Sequence, residues 1–274
     1  MMEQNMSPYT EMLFHDVAFS SAVKLKIYKF AEEDLTKAER QFYYKHVMVS
    51  HEEAVQISAQ TRCQTNTKWH RERKVRITGS KCHSYFTFIP KESNTWEMKV
   101  AKMMTESFRG NNATKYGKAS EAKAIEAYSG SSHSTVERMG FVVHPSVPWL
   151  GYSPDGIIFR KGEPAILLEI KSPILGKTRK ASELVEDKKL PYMKKENENF
   201  ILNPRHCYYS QVQLGMFLLN LRTTDFMVYS QVEPLTIHVH RCDEYIDRLV
   251  RKLQFVYFKC LLPRLAGSAQ LGVA

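Results

Sequence analysis

Apolar and polar residues change rhythm twice along this chain. From Thr36 to about Arg62 the apolar positions recur at helical spacing, and Thr36 with Glu39 and Ser50 with Glu53 stand at capping-box distance. KAERQFYYKHVM and HEEAVQISAQTR are therefore expected as two helices. The polar QTNTK reads as a loop, ITGSKCHSYF as chain entering a helix near Ser80, and roughly Trp96 to Phe108 and Ala119 to Tyr128 as further helices, separated by a loop RGNNATKYG. Between Val136 and Lys171 the period shortens. MGFVVHP, WLGYSPDG, GIIFR and AILLEIK are short β-type runs divided by Pro, Gly and charged turns. Lys177 to Asn199 is highly charged and reads as an exposed excursion with one short helix. HCYYSQVQLGMFLLNL is a strongly apolar helix, DFMVYSQ and PLTIHVHR are strands, and DEYIDRLVRKLQFVYFKCLLPRL is an amphipathic helix ahead of a loose tail, AGSAQLGVA. This order predicts an α/β fold around a mixed central β-sheet flanked by helices. Residues 1–66 would be a helical N-terminal segment, 67–262 the main domain and 263–274 a flexible tail.

One strand breaks the rule that buried strands are apolar. In AILLEIK, alternate side chains share a face. Ile166, Leu168 and Ile170 point one way, and Leu167, Glu169 and Lys171 the other. Glu169 and Lys171 lie about 7 Å apart along such a strand. A hairpin through RKGEPA can bring Asp155 of SPDG beside Glu169. Two converging carboxylates repel and raise one pKa unless a divalent cation neutralises them, and hard oxygen ligands suit Mg²⁺ or Mn²⁺. A lysine on the same face can orient or deprotonate an attacking water and stabilise developing negative charge. The same letters also fit a tight turn followed by an ion pair on a solvated strand.

Two further residues weigh on that choice. Glu121 shares a helical stripe with Ala124, Ile125 and Tyr128, which would aim it inward. Gln211 shares one with Leu214, Gly215 and Leu218, and a buried amide needs partners.

Composition adds a partner class. The 274 residues carry 39 Lys and Arg against 29 Asp and Glu, a formal net charge of +10 that favours a polyanion. Five cysteines are scattered without a C-x-x-C pair, which fits a reducing intracellular compartment and argues against structural zinc. The sequence leaves open whether that compartment is the nucleus. A membrane span is not expected, since no run of 18 or more apolar residues occurs, nor a secretory leader, since MMEQNMSPYTEMLFHD lacks a basic n-region and a long apolar stretch.

With these residues assembled, the chain resembles the YqaJ-like viral recombinase (lambda exonuclease) family of the PD-(D/E)xK nuclease superfamily. Pro154-Asp155 followed by Glu169-Ile170-Lys171 matches the superfamily signature. Trp69, Arg73, Ile77, Thr78 and Ser80 in WHRERKVRITGS resemble the family's W-x-x-x-R-x-x-x-I-T-x-S. Gly117 and Glu121 fit G-x-x-x-E, and Tyr208, Gln211 and Gln213 fit Y-x-x-Q-x-Q. The resemblance runs from about Trp69 to Tyr229.

It implies a restriction-endonuclease-like core and a magnesium-dependent deoxyribonuclease, a 5′-to-3′ exonuclease on duplex DNA with a free end, acting in recombination or repair. Asp155 and Glu169 would be metal ligands with the Ile170 carbonyl as a third and Glu121 assisting. Lys171 would act on water, Gln211 would support the centre, and Arg73 with Ser80 would receive a terminal 5′-phosphate. Trp69 is expected in the core. The resemblance leaves room for a homo-oligomer and for a single-strand-annealing partner. The alternatives are an endonuclease of a mobile element or repair pathway, and a non-catalytic DNA-binding domain retaining the fold.

Overall fold

Both capping boxes form in the computed structural model, which describes residues 34–105 and 110–270. Thr36 N donates to Glu39 Oε2 at 2.8 Å and Ser50 N to Glu53 Oε2 at 2.7 Å, while the Thr36 and Ser50 hydroxyls accept from the Glu39 and Glu53 amides. These contacts satisfy the first free N–H groups of α1 (Lys37–His46) and α2 (His51–Gln60). Phe42, Tyr43, Ala54 and Val55 of these helices belong to the main core cluster. The Tyr43 ring lies 5.5 Å from that of Phe258, so the N-terminal helices share one core with the end of the chain.

After α3 (Thr67–Lys74) come the short β1 (Ile77–Thr78), α4 (Gly79–Phe86), α5 (Trp96–Thr105) and α6 (Asn112–Ser132). The remainder runs β2 (Val136–Glu137), β3 (Leu150–Gly151), β4 (Gly156–Arg160), β5 (Glu163–Lys171), α7 (Ala181–Glu186), β6 (Met193–Glu196), β7 (Asn199–Leu202), α8 (Cys207–Leu218), β8 (Thr223–Val228), β9 (Leu235–His240), α9 (Asp243–Val256) and α10 (Leu262–Gln270). A π-helical stretch, Tyr257–Leu261, joins the last two.

The central sheet has the order β2-β4-β5-β8-β9. Only β5 and β8 run parallel; the other pairs are antiparallel. This is the expected mixed sheet. The alternation along β5 divides the core: Ile166, Leu168 and Ile170 pack with Ala124 and Tyr128 of α6, while Leu167 joins Val212 and Leu214 of α8 in the other cluster. Glu169 and Lys171 therefore face α8.

Four sequence expectations need correction. The RGNNATKYG loop is helical from Asn112, because the Asn111 side chain accepts from Thr114 N at 2.9 Å and caps the helix early. MGFVVHP is buried but forms no strand. Only Val142 bridges, to Tyr152, and the Phe141 amide bonds to Thr61 Oγ1 instead of a ladder. The 177–199 excursion is ordered and partly core: Ala181, Leu184, Val185, Leu190, Tyr192 and Met193 are buried beneath its charged face. Of the tail, residues 263–270 are helical, with Leu265 and Ala266 buried, and the rest lies outside the described residues. The helix expected to reach Phe108 is seen to Thr105, its last residues lying outside the described ones. No helix among the described residues is long and apolar enough to cross a membrane.

Arg76 joins the elements ahead of the sheet. Almost fully buried, it donates to the carbonyls of Pro148 (2.7 Å), Glu72 (2.9 Å) and Val47 (2.9 Å) and to Glu72 Oε2 (2.7 Å). Removing one partner of a buried ion pair strands the other in low dielectric. Arg76→Ala is therefore expected to cost about 3 kcal/mol or more of unfolding free energy, read from urea denaturation.

Candidate active site

The hairpin register builds the centre of the site. Gly156 of β4 pairs with Leu168 of β5, and one step further Asp155 stands opposite Glu169. Asp155 Oδ2 accepts from the Ile170 amide at 2.7 Å. Glu169 is only 1% exposed. Its Oε1 accepts from Lys171 Nζ and, at 2.6 Å, from Gln211 Nε2. Its Oε2 accepts from the Tyr152 hydroxyl at 2.6 Å. Lys171 Nζ also sits 4.3 Å from the centre of the Tyr208 ring, a cation–π contact.

These surroundings set the charges. Asp155 is pushed up to about 7, first by burial and then by the charge of Glu169, against the pull of Lys171 and the Ile170 amide. The charge of Glu121 adds to the rise. Burial alone would lower Lys171, but Glu169 and Asp155 outweigh it and hold the amine above its ordinary value, as an ammonium. Burial and the charge of Glu169 raise Tyr152, so its hydroxyl stays a donor. Two carboxylates thus share one ammonium. Asp155 is held through Oδ2 alone among the hydrogen bonds of the described residues, which leaves Oδ1 for a cation. A hard divalent ion fits this donor set, because its charge offsets both the burial and the Glu169 charge that lift Asp155.

Of the residues singled out in the sequence, Asp155, Glu169, Lys171 and Gln211 come together. Ile170 contributes its amide to Asp155, while its side chain is buried with the α6 cluster. Glu121 departs from expectation. Its side chain is 34% exposed and paired with Arg138, a partner absent from the sequence argument. It acts on Asp155 through charge across the rim rather than from within the core. No group of three or more His, Cys, Asp or Glu that could hold a metal occurs among the described residues.

Arg73 and Ser80 form a second cluster. Arg73 Nη2 donates to Ser80 Oγ at 3.0 Å and Nη1 to Ser153 Oγ at 3.4 Å. Its guanidinium lies 4.2 Å from the centre of the Trp69 ring. Trp69 is half-buried and packs against the core cluster of Ile57, Phe141 and Val143, and it also donates its Nε1–H to Ser153 at 3.0 Å and lies under Arg73. Burial lowers Arg73 to about 10, which still leaves it charged at neutral pH. Ser80 is exposed in the first turn of α4, where free backbone N–H groups favour anions.

Sequence reasoning missed Tyr152 and Ser153 and assigned Tyr208 no role. Their only signal was position, flanking Pro154-Asp155 or heading the glutamine motif. Gln213, two residues from Gln211, is fully buried and serves the fold. Its Nε2 donates to His240 O and its Oε1 accepts from Cys242 N, both at 2.9 Å.

Comparison with known proteins bears on the family and the fold. The family model of the YqaJ-like viral recombinase domain matches residues 68–224. No curated protein sequence matches significantly. Among solved structures, the chain is similar to an alkaline exonuclease, LHK-Exo, from Laribacter hongkongensis, at 20% identity and a TM-score of 0.55, covering 76% of this chain and 97% of that one. It is also similar to the KSHV SOX RNA complex, at 12% identity and a TM-score of 0.52, covering 97% of this chain and 89% of that one. A SOX-DNA complex matches at 13% identity and a TM-score of 0.50, covering 95% and 87%. Identities this low establish a shared fold.

Both glutamines should be costly to lose. Gln213→Leu leaves His240 O and Cys242 N without their partner and is expected to cost about 1–3 kcal/mol, and Gln211→Ala, which removes a hydrogen bond to the buried Glu169 carboxylate, about 1.5–3 kcal/mol, both by urea denaturation.

Proposed function

The chain belongs to the YqaJ-like viral recombinase domain family, and we propose that it is a metal-dependent deoxyribonuclease that digests linear duplex DNA from a 5′ end, in recombination or repair. The observation that carries this reading is that Lys171 and Gln211 bind the buried carboxylate of Glu169 while Asp155 stands opposite Glu169 across the hairpin and accepts from the Ile170 amide.

Asp155 and Glu169 would hold the divalent cation, Mg²⁺ with Mn²⁺ as its substitute. When bound, such an ion supplies Lewis-acid polarisation of the phosphodiester and neutralises its charge. The residues of the chain do the rest. Lys171, held as an ammonium, orients the attacking water and stabilises charge that develops on the phosphate oxygens. Gln211 fixes Glu169 Oε1 with its amide, and the Tyr208 ring supports the Lys171 ammonium from one side. Glu121 bears on Asp155 from the rim.

End recognition falls to the Arg73, Ser80 and Ser153 cluster. Two hydroxyls and a guanidinium gathered at a helix start suit a terminal phosphate, since Arg forks onto phosphate oxygens. Ser153 lies two residues before Asp155, so the anion cluster and the carboxylates share one short stretch of chain. This placement favours an exonuclease over an endonuclease. The net charge of +10 supports a polyanionic substrate. Ring-like or other homo-oligomers and a single-strand-annealing partner are compatible with this role.

The purified protein is expected to degrade 5′-phosphorylated linear duplex with Mg²⁺ and not with EDTA. Lys171→Ala and Asp155→Asn should each lower kcat about 100-fold or more. Arg73→Ala should erase a preference for 5′-phosphoryl over 5′-hydroxyl ends of about tenfold or more. Cutting of closed circles would support an endonuclease instead, and DNA binding without metal-dependent cleavage would reduce the protein to a binding domain.

A further inference from the structure

Tyr152 lies in none of the motifs above, yet its ring is among the most completely enclosed in the protein, at 1% exposure. Its backbone is fixed by a bridge in which Tyr152 N donates to Val142 O at 2.9 Å and Val142 N to Tyr152 O at 2.7 Å. Two glycines make the space for the ring. A Cβ at Gly79 would fall 2.7 Å from Tyr152 Cδ2, and a Cβ at Gly215 would fall 2.6 Å from its Cζ. Gly79 opens α4 beside Ser80, and Gly215 lies on α8 one turn beyond Gln211. The ring is thus held close to the backbones of the two helices that carry Ser80 and Gln211.

From this cradle the hydroxyl reaches Glu169 Oε2 at 2.6 Å. Lys171 and Gln211 both bind the other oxygen, Oε1. Without a contact at Oε2, rotation of the carboxylate would leave the lone pairs facing Asp155 undefined. A tyrosine with two side-chain torsions, held close to backbone at both Gly79 and Gly215, removes that freedom more completely than a long flexible donor would.

We propose that Tyr152 is a positioning residue that fixes the orientation of the Glu169 carboxylate, so that one lone pair of Oε2 remains directed to the cation shared with Asp155. This role rests on the metal-dependent reading of the site. It assigns a purpose to Gly79 and Gly215 as well: each stands where any side chain would displace the ring.

The decisive variant is Tyr152→Phe, which keeps the ring and removes only the hydroxyl. Mn²⁺ binding is measured by calorimetry on the DNA-free protein, alongside Tm and the steady-state constants on linear duplex. The expected result is a lowered Tm with folding still cooperative, Mn²⁺ affinity and kcat each lowered about tenfold or more, and an unchanged KM for DNA. Gly79→Ala, which keeps every hydrogen-bonding group and crowds the ring, should reproduce the loss of Mn²⁺ affinity. Wild-type Mn²⁺ affinity and kcat in Tyr152→Phe would overturn the role of Tyr152 and leave the proposed function standing. A wild-type protein that binds no Mn²⁺ and cleaves no DNA would overturn both.

Discussion

Glu169 is a charge that the protein cannot leave uncompensated. A carboxylate at 1% exposure loses its hydration and must recover that cost from partners of fixed geometry. The three donors come from three places: Lys171 from the same strand, Gln211 from α8, and Tyr152 from the chain just after β3. Packing α8 and the β3 segment against the sheet is therefore the same event as assembling the site. The apolar alternation of β5 supplies the other half, because Ile166, Leu168 and Ile170 anchor the strand on α6 and leave Glu169 and Lys171 no choice of face.

The residues around Asp155 extend this economy. Four consecutive positions link the two polar clusters. Tyr152 holds Glu169, Ser153 contacts Arg73 and Trp69, Pro154 O accepts from the Gln64 amide at 2.8 Å, and Asp155 takes the Ile170 amide. A substrate end seated on the Arg73 cluster would be positioned relative to the carboxylates by a segment with little slack. On the proposed function, this tethering is what would confine cleavage to ends.

Much of this was legible in the sequence because it depends on local periodicity. The strict alternation of AILLEIK placed Glu169 and Lys171 on one face, and the stripe through Gln211, Leu214 and Leu218 placed the amide inward. Both capping boxes were readable at three-residue spacing and both formed. What was not legible depends on tertiary neighbours. Glu121 shares its stripe with buried residues, but Arg138 draws its carboxylate to the rim. The charged letters of 177–199 conceal a buried underside that only packing reveals. MGFVVHP has the composition of a strand, yet Gly140 must approach the Ser58 carbonyl so closely that a Cβ there would fall 2.0 Å away, and the chain packs against α2 rather than joining a ladder. Tyr152 was invisible for the same reason: its meaning lies in Gly79 and Gly215, distant in sequence and adjacent in space.

The central claim is that Asp155 and Glu169 form a divalent-cation site beside Lys171. Anomalous diffraction from crystals soaked in Mn²⁺ tests it without reference to activity. A peak within coordination distance of both carboxylates, lost in Asp155→Asn crystals, is the expected result. Crystals that take up Mn²⁺ only elsewhere, with the Asp155–Glu169 pair free of density at saturating metal, would contradict it.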